Sequence, residues 1–335
     1  MSNNTHKVTI FDVAKHAQVS KSTVSLVLTH SDKVAAKSKE KVLLAIDELG
    51  YVYNRDAAAL RSKRSNLVAL VINDLTNPYA AQLAVGLETH IYALGMQPML
   101  VNTAECVERQ IQVVKTLKEY NVAAFIICSA PGTEQNWQDE LISSGFPVIN
   151  IMREVPFSQA PCILPDNKKG THLATCHILS QGIEDVAFLG GVEEISDYHE
   201  RVSGFHSALK QFNIRDPKPV IPANTNRQGG REAFTTLYQQ APNIKAIICF
   251  SDVIAYGAIE AIRQHGLLPG KDIKVVGFDD LEDSRLMQPS LSSVTINADD
   301  IGKRACQVLT ELLTQSTPPV RTLVDVSLQI RDSSQ

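Results

Sequence analysis

Short apolar runs alternate with amphipathic stretches along most of the chain, and this alternation restricts the possible folds most strongly. The runs are LVALVI (67–72), PMLVN (98–102), AAFIICS (123–129), PVINI (147–151), VAFLG (186–190), AIICF (246–250) and IKVVGF (273–278). Between them lie helical patterns with readable ends, such as the one that starts at Asn77-Pro78 and closes at Gly95. Alternating strands and helices predict parallel sheets covered on both faces. Roughly 260 residues of this pattern exceed one ordinary core, so we expect two lobes.

The N-terminal segment has a different pattern, with three short helical stretches. Thr9 suits the cap of the first, and Asp12 follows three residues later, as in a capping box. Ser20 suits the cap of the second, and the third ends at Gly50. Two short helices joined by a tight turn, with a third packed behind them, are typical of a helix-turn-helix.

The formal net charge of the 335 residues is -4, and it divides unevenly. Residues 1–65 hold 11 Lys and Arg against 6 Asp and Glu, whereas residues 66–335 hold 21 against 30. A small basic module joined to an acidic body is the asymmetry expected when only the module contacts phosphate. The charge pattern therefore favours nucleic-acid binding by the N-terminal segment.

No apolar run approaches the ~18 residues of a membrane-spanning helix, and the N-terminus lacks the apolar region of a secretory signal. The 6 cysteines form no C-x-x-C pair and have no histidine at metal-ligand spacing. We therefore expect a cytoplasmic protein with no membrane partner, metal or cofactor, whose cysteines act as small core residues.

The start of the second helix carries side chains suited to DNA contact. Lys21 and Ser22 can donate in the major groove, and Leu26 can contact a thymine methyl group. The alternative is a solvated helix face. The candidates for contacts outside the base edges, chiefly to phosphates, are Thr9, Ser20, Thr23 and Ser25.

Polar and charged side chains follow the ends of several predicted strands. In open α/β sheets, ligands bind outside the carboxyl ends of the strands. A helix cap or a surface ion pair is the alternative for each one, in particular for Asn77 and Asp279. The candidates for a ligand site are Asn77, Tyr79, Arg153, Arg201, Asp252 and Asp279.

An ordered set of motifs runs along the chain, and it begins with TIFDVAKHAQVSKSTVSLVLTHSDKVAAKSKEKVLLAIDELGYVYNRDAAALRSKRS. It continues through LVALVINDLTNPYAAQLAVGLE, CILPDNKKGTHLATCHIL, VAFLGG, ERVSGFHSAL, CFSDVIAYGAIEAI and VVGFDD, and so covers nearly the whole chain. This set resembles the LacI/GalR family of bacterial transcriptional regulators. Within the family, VSKSTVSLVL and ALRSKRS are similar to the branch of MalI-type maltose regulators.

The resemblance implies specific roles in DNA binding. Lys21, Ser22 and Leu26 would occupy the base-reading positions of the recognition helix. Leu60 matches a leucine that wedges into the minor groove at the centre of a palindromic site and kinks a base step. The residues that fall in the family's hinge helix, which folds on the operator, are Asn54, Arg55, Ala57 and Leu60.

The resemblance also implies an effector site in the body. Arg201 and Asp252 match a pair of effector contacts, and Tyr79 lies on the wall of the cleft. A carboxylate that accepts from hydroxyls, an arginine that donates and an aromatic face suit a sugar. Gly190-Gly191 after a strand suggests a phosphate cradle, but two glutamates follow and no Walker A run exists, so a phosphorylated effector is unsupported.

Three positions depart from the family pattern. Gln18 replaces the usual glycine of the turn, which requires a non-glycine residue in the left-handed conformation at a cost of about 1 kcal/mol. Ala35 stands where a serine commonly caps the third helix, a loss of ~1 kcal/mol. Tyr53 replaces the common proline before Asn54. These changes weaken the N-terminal module and leave its base-reading positions intact.

An enzyme would need a catalytic constellation, and the sequence has no G-x-S-x-G elbow, H-E-x-x-H or Cys/His cluster. His199-Glu200 favours a surface element over a catalytic dyad, and His172 and His177 are five residues apart, which is not a ligand spacing. The alternatives are a sugar-binding protein or a sugar-processing enzyme with an unrelated basic N-terminal module.

We therefore predict an all-α helix-turn-helix domain (1–50), a hinge (51–65) and an α/β effector domain (66–335) that resembles periplasmic binding proteins, with parallel Rossmann-like sheets. The effector domain divides into lobe 1 (66–163 and 295–325) and lobe 2 (164–294). The predicted protein is a repressor that binds palindromic operator DNA as a homodimer and responds to a small-molecule effector, a sugar or sugar derivative. A tetramer is not expected, because DVSLQIRDSSQ after Val324 lacks a heptad pattern.

Overall fold

The computed structural model describes residues 8–28, 33–52 and 65–335. The hinge candidates Asn54, Arg55, Ala57 and Leu60, together with Tyr53, lie outside the described residues. The chain divides into two compact units, residues 1–65 and residues 66–335.

The described part of the first unit contains α1 (Ile10–His16), α2 (Lys21–Leu28) and α3 (Ala36–Leu49). Val13, Val24 and Val42, one from each helix, are buried in a shared core. At the start of α1, the Asp12 carboxylate accepts hydrogen bonds from the backbone N–H of Thr9 at 2.8 Å and from its hydroxyl at 2.7 Å. The spacing of Thr9 and Asp12 thus fixes the first turn of α1, as the sequence predicts.

The turns of the first unit show the predicted departures. Gln18, between α1 and α2, has a φ of 54°, the left-handed conformation that glycine adopts more easily. Ala35 precedes α3 and supplies no side-chain cap. Gly50, with a φ of 61°, ends α3. The helix-turn-helix is therefore built with one strained turn and one uncapped helix.

The first lobe of the second unit is a six-stranded parallel sheet with helices on its faces. Its strands are β1 (Leu67–Ile72), β2 (Gln97–Asn102), β3 (Ala124–Ile127), β4 (Val148–Ile151), β5 (Cys162–Pro165) and β11 (Arg321–Val324), in the order β11-β5-β4-β3-β1-β2. Its helices are α4 (Pro78–Ala93), α5 (Val107–Glu119), α6 (Gln135–Ser143) and α12 (Ala298–Leu313). The central strands β1, β3 and β4 are buried along nearly their whole length, as their continuous apolar sequences require.

The second lobe is a mixed sheet of six strands. Its strands are β6 (Val186–Leu189), β7 (Val220–Ile221), β8 (Ala246–Cys249), β9 (Lys274–Asp279), β10 (Ser292–Ile296) and β12 (Val326–Gln329), in the order β12-β10-β9-β8-β6-β7. Its helices are α7 (Asn167–Leu179), α8 (Ser196–Gln211), α9 (Arg227–Gln240), α10 (Asp252–Gln264) and α11 (Glu282–Leu286). All neighbouring strands are parallel except β12, which runs antiparallel to β10.

The chain crosses between the lobes three times, after β5, after β10 and after β11. The first and second crossings lie two residues later than the sequence boundaries, because β5 continues to Pro165 and β10 to Ile296. After the third crossing, β12 joins the edge of the second sheet, a strand that the sequence analysis did not identify. The two lobes are therefore interleaved along the chain.

Two glycines allow α4 and α12 to cross closely in the first lobe. A Cβ atom on Gly86 would lie 2.6 Å from the carbonyl oxygen of Ala298, and one on Gly302 would lie 2.5 Å from the carbonyl oxygen of Gly86. These distances are shorter than any real Cβ contact, so both positions require glycine. The close crossing fixes α12 against the first lobe after the chain has returned from the second.

Within the described ranges, no helix is long and apolar enough to cross a lipid bilayer. In the same residues, no group of three His, Cys, Asp or Glu side chains could hold a metal ion. Four cysteines, Cys128, Cys162, Cys249 and Cys306, are buried among core residues, and Cys106 and Cys176 are partly exposed. Core packing thus accounts for most of the cysteines, as predicted.

Candidate functional site

The outward face of α2 carries two of the predicted base-reading side chains. Ser22 and Leu26 are exposed and lie four residues apart on one side of the helix. Val24 and Val27 are buried in the core of the first unit and fix the orientation of α2. A leucine that is 38 % exposed costs solvation free energy on a free surface, but it is suited to a thymine methyl group.

Lys21 and the nearby hydroxyls are held by contacts inside the first unit. The Lys21 ammonium lies 4.3 Å from the centroid of the Phe11 ring, an exposed aromatic side chain on α1. Ser20 Oγ accepts from the backbone N–H of Thr23 at 3.1 Å and lies 2.9 Å from Thr23 Oγ1. Ser20 therefore caps α2, as predicted. DNA contact stays a prediction for Thr9, Ser20, Lys21, Ser22, Thr23, Ser25 and Leu26.

A second candidate site lies between the two lobes, at the carboxyl ends of their strands. It is a narrow cavity of about 50 Å³. The first lobe lines it with Asn73, Asp74, Asn77, Tyr79, Ala80, Leu83, Glu105, Cys128, Met152 and Arg153. The second lobe lines it with Asp197, Arg201, Thr225, Phe250, Ser251 and Asp279. Five of the six predicted effector residues thus meet here, and Asp252 does not.

Asp252 lies outside this cavity and is held by groups of the protein itself, so the structure does not support its predicted role as an effector contact. Its side chain is fully buried, and Oδ2 accepts from the backbone N–H of Leu281 at 2.8 Å and from the Ser284 hydroxyl at 2.6 Å. Oδ1 accepts from the Ser293 hydroxyl at 2.5 Å. A Cβ atom on Gly277 would lie 2.1 Å from Oδ1, so the carboxylate packs against bare backbone of β9. Asp252 therefore ties α10 to β9, α11 and β10.

Asp279, unlike Asp252, lines the cavity together with Arg201. It ends β9 with a φ of 114°, and Asp280 follows with a φ of 55°, so the chain turns sharply through two conformations that few L-residues adopt. Asp280 turns away and accepts from Arg331 at 2.5 Å and from Thr295 at 3.0 Å. Burial raises the pKa of Asp279 well above its usual range, and the charge of Arg201 opposes this rise.

Arg201 is held rigidly at the floor of the cavity. Its Nε donates to Asn167 Oδ1 at 2.9 Å, and its Nη1 donates to the carbonyl oxygen of Phe250. The guanidinium lies 3.8 Å from the centroid of the Phe278 ring and 4.4 Å from that of Phe250. Burial lowers the pKa of Arg201, and Asp279 opposes this effect. Stacking between two rings fixes the plane of the guanidinium.

Arg153 is equally constrained on the side of the first lobe. Its Nη1 and Nη2 donate to the two carboxylate oxygens of Glu105 at 2.7 and 2.9 Å, a bidentate pair, and Nη1 also donates to the carbonyl oxygen of Ser129 at 3.2 Å. Its Nε lies 3.5 Å from Asp197 Oδ1, which belongs to the second lobe. Arg153 therefore connects the two lobes across the cleft.

Four buried polar atoms of this cavity have no hydrogen-bond partner within the described part of the chain. They are Tyr79 Oη, Ser251 Oγ, Arg153 Nε and Asp197 Oδ1, of which the last two lie 3.5 Å apart as an ion pair without a hydrogen bond. Buried polar atoms are normally paired, because each unsatisfied one costs about 1–3 kcal/mol. A cluster of them in one cavity indicates a ligand that supplies both donors and acceptors.

The rule that ligands bind beyond the carboxyl ends of strands predicted some of the residues that line the cavity and missed others. Asn77 lines the cavity, but its Oδ1 caps α4 by accepting from the backbone N–H of Tyr79 at 3.0 Å. Glu105, Asp197 and Ser251 were missed. Glu105 and Ser251 follow β2 and β8 within three residues, as Arg153 follows β4, so applying the rule to every strand would have found both. Asp197 lies eight residues after β6, in the first turn of α8, where the rule gives no signal.

The suggested phosphate cradle at Gly190-Gly191 is covered by side chains. Both glycines have positive φ, 89° and 83°. A Cβ atom on Gly190 would meet Ile254 at 2.9 Å, and one on Gly191 would meet Phe250 at 2.6 Å and Tyr198 at 2.8 Å. The bare backbone therefore serves to pack these side chains.

The isolated histidine motifs also have structural explanations. Glu200 accepts from Asn167 at 2.9 Å and pairs with Arg321, so its carboxylate is engaged by groups other than His199. His177 Nε2 lies 2.8 Å from Ser334 Oγ and holds the C-terminal residues against α7. These contacts agree with the interpretation of His199-Glu200 as a surface element.

Comparisons with known proteins place both units in one family. Residues 9–54 match the bacterial regulatory proteins of the lacI family, and residues 65–330 match the periplasmic binding proteins and sugar binding domain of the LacI family. The maltose regulon regulatory protein MalI of Escherichia coli (strain K12) is 33% identical over 265 residues, which are 78% of this chain and 78% of that protein.

Solved structures give the same result. The Lac repressor dimer bound to operator and the anti-inducer ONPF is 26% identical with a TM-score of 0.87, over 98% of this chain and 99% of that chain. The complex of the transcriptional regulator CelR with cellobiose is 26% identical with a TM-score of 0.73, over 97% and 99%. Together with the helix-turn-helix and the cleft between two α/β lobes, these matches show that the chain belongs to the LacI family and is a DNA-binding transcriptional regulator.

Proposed function

We propose that this protein is a cytoplasmic repressor that binds a palindromic operator as a homodimer and whose operator affinity is set by a sugar bound between its lobes. The observation that carries the effector part is the cluster of four unpaired polar atoms in the interlobe cavity. Two helix-turn-helix domains in successive major grooves, related by a two-fold axis, would account for a palindromic site. The exposed face of α2, with Ser22 and Leu26, supports base contact by this domain.

The size of the cavity supports a mechanism in which the lobes separate to admit the effector. Pockets for ligands of this class typically measure about 300–1,000 Å³, whereas this cavity measures about 50 Å³. A sugar that binds one arrangement of the lobes more tightly shifts the population toward it. That shift changes the spacing of the paired hinges, and so couples effector binding to operator affinity.

Two measurements test the proposal. Operator sequences are first selected from random duplexes with the full chain, and their binding is then compared by gel shift for the full chain and for residues 66–335. We expect the shorter chain to lose operator binding, and retained binding would refute the role of the helix-turn-helix.

A thermal-shift screen of residues 66–335 against sugars identifies the effector, because a ligand of the folded state raises its apparent stability. If no sugar raises the melting temperature, the proposed effector class is refuted.

A further inference from the structure

We propose that the interlobe cleft selects an uncharged, hydroxyl-rich effector over its phosphorylated form, and that Asp197 is the residue that sets this selection. The inference rests on the proposed function, in which the cleft binds the effector. It adds the charge class of that effector and a specificity-determining residue that no sequence motif indicated.

Carboxylates outnumber cations around the cavity. Four carboxylates face two guanidinium groups, so the lining is negative overall even when Asp279 holds a proton. A phosphate dianion brought into a buried site of this charge is repelled, and the repulsion is strong because little water screens it. The charged side chains of the lining are Asp74, Glu105, Asp197 and Asp279, and Arg153 and Arg201.

Both guanidinium groups already donate hydrogen bonds within the protein, which limits what they can offer a phosphate. Arg153 uses Nη1 and Nη2 on Glu105, and Arg201 donates to Asn167 and to the backbone of Phe250. Phosphate recognition by arginine depends on two parallel N–H donors of one guanidinium. In Arg153 these donors are already occupied by a carboxylate of the protein itself.

The helix start that could bind an anion carries a negative charge of its own. Helix N-termini attract anions through unpaired backbone N–H groups. Asp197 lies in the first turn of α8, where its carboxylate lines the cavity. At the start of α4, the side chain of Asn77 accepts from the backbone N–H of Tyr79. Asp197 therefore stands where an anionic group of the effector would otherwise bind.

The four unpaired atoms suit hydroxyl groups. Asp197 Oδ1 can only accept a hydrogen bond, Arg153 Nε can only donate one, and the hydroxyls of Tyr79 and Ser251 can do either. A sugar hydroxyl both donates and accepts, so it can satisfy every member of the set. A dianionic phosphate group only accepts, so it cannot donate to Asp197 Oδ1, whose contact with Arg153 Nε at 3.5 Å is not a hydrogen bond.

The test is calorimetric titration of the full chain with matched probes: glucose and glucose 6-phosphate, ribose and ribose 5-phosphate, and trehalose and trehalose 6-phosphate. We expect an uncharged member to bind the wild type, and its phosphate ester to bind about 100-fold more weakly. Asp197→Asn keeps the shape of the side chain and removes its charge, so it should narrow this ratio about tenfold or more. Asp197→Ser also removes the charge but has a smaller side chain, and it should narrow the affinity ratio as well.

The matched control is Asp216→Asn, which removes an exposed charge beyond the opposite end of α8 and should leave the ratio unchanged. A phosphate ester that binds the wild type as tightly as its parent sugar overturns this inference and leaves the proposed function intact. An unchanged ratio in both Asp197 variants overturns the role of Asp197. Failure of all six probes to bind counts against the sugar effector and against this inference together.

Discussion

At the scale of single residues, Tyr79 and Ser251 have hydroxyl groups that lower the stability of the folded chain and can strengthen the binding of a ligand. Both bury a hydroxyl that has no hydrogen-bond partner within the described residues. Such an atom destabilises the folded chain, because it loses its bonds to water on folding. The same atom strengthens the binding of any ligand that pairs with it. Removing it should therefore change stability and affinity in opposite directions.

We predict that Tyr79→Phe raises the free energy of unfolding by about 0.5–1 kcal/mol and weakens effector binding about tenfold. Urea unfolding and calorimetric titration measure the two effects. The matched control is Tyr256→Phe, because the Tyr256 hydroxyl lies 2.7 Å from Ser284 Oγ and is paired. That variant should lose about 1 kcal/mol of stability. Equal losses of effector affinity in the two variants would contradict the ligand role of the Tyr79 hydroxyl.

Asp252 gives stability a pH dependence of known sign. Burial raises the pKa of Asp252 to about 7 in the folded chain, whereas an unfolded aspartate titrates near ~3.9. Between these values the folded state holds a proton that the unfolded state releases. The free energy of unfolding from this group therefore falls as the pH rises from about 4 to about 7, and it changes little above that range.

We predict that Asp252→Asn gains stability relative to the wild type as the pH rises from 5 to 8, by about 1–3 kcal/mol. Asparagine keeps the acceptor for Leu281 and Ser284 and does not titrate. Thermal melts of both proteins across this range provide the measurement. A stability difference that does not vary with pH would show that Asp252 stays ionised in the folded chain throughout.

At the scale of elements, α3 begins without a side-chain cap, because Ala35 occupies the cap position. We predict that Ala35→Ser stabilises the first unit by about 1 kcal/mol. Hydrogen exchange at the N–H groups of Ser38 and Lys39, which bond to the Ala35 carbonyl, should slow in this variant. Ala36→Ser, one residue inside the helix, is the control and should give no such protection. Equal protection in both variants would argue against a capping effect.

The sequence predicted the two-lobed α/β fold but not all of its strands. The central strands were found because burial on both faces requires continuous apolar runs. The edge strands β7, β11 and β12 escaped because each is only partly buried, and the buried strand β5 escaped because its run is only four residues long. β10 escaped for another reason: its serines are buried, and they are satisfied by hydrogen bonds to Asp252 and to the C-terminal residues. Such pairings lie far apart in the chain and leave no local signal.

The candidate site was predictable to a similar extent. The rule that ligands bind beyond strand ends located Tyr79, Arg153 and Arg201 at the cavity. It could not separate Asp279 from Asp252, because both follow strands closely. The directions of these two side chains are set by the backbone turn at Asp279 and by the absence of a side chain at Gly277. Neither feature can be read from local patterns in one sequence.

At the scale of the whole molecule, Arg321 links the lobes away from the cavity. It belongs to β11 of the first lobe and contacts Glu154 at 3.1 Å and Glu200 of the second lobe. The side chain is 43% exposed, so solvent screening limits the interaction to about 0–1 kcal/mol. Opening of the lobes must break the contact with Glu200.

We predict that Arg321→Gln raises the rate constant of effector association by up to about fivefold, because the lobes separate more readily. Stopped-flow fluorescence of Trp137 or an attached dye follows the binding. Arg231→Gln breaks a comparable surface pair with Glu260 inside the second lobe and should leave the rate unchanged. A similar increase in both variants would indicate a general charge effect.

The three crossings between the lobes also set the order in which the protein can be completed during synthesis. The first unit is continuous in sequence, so its helices can pack soon after residue 52 leaves the ribosome. Each lobe, in contrast, receives an edge strand from residues 321–329, near the end of the chain. A chain interrupted before residue 321 would therefore carry a complete first unit joined to an incomplete effector domain. Such a fragment would be insensitive to the effector.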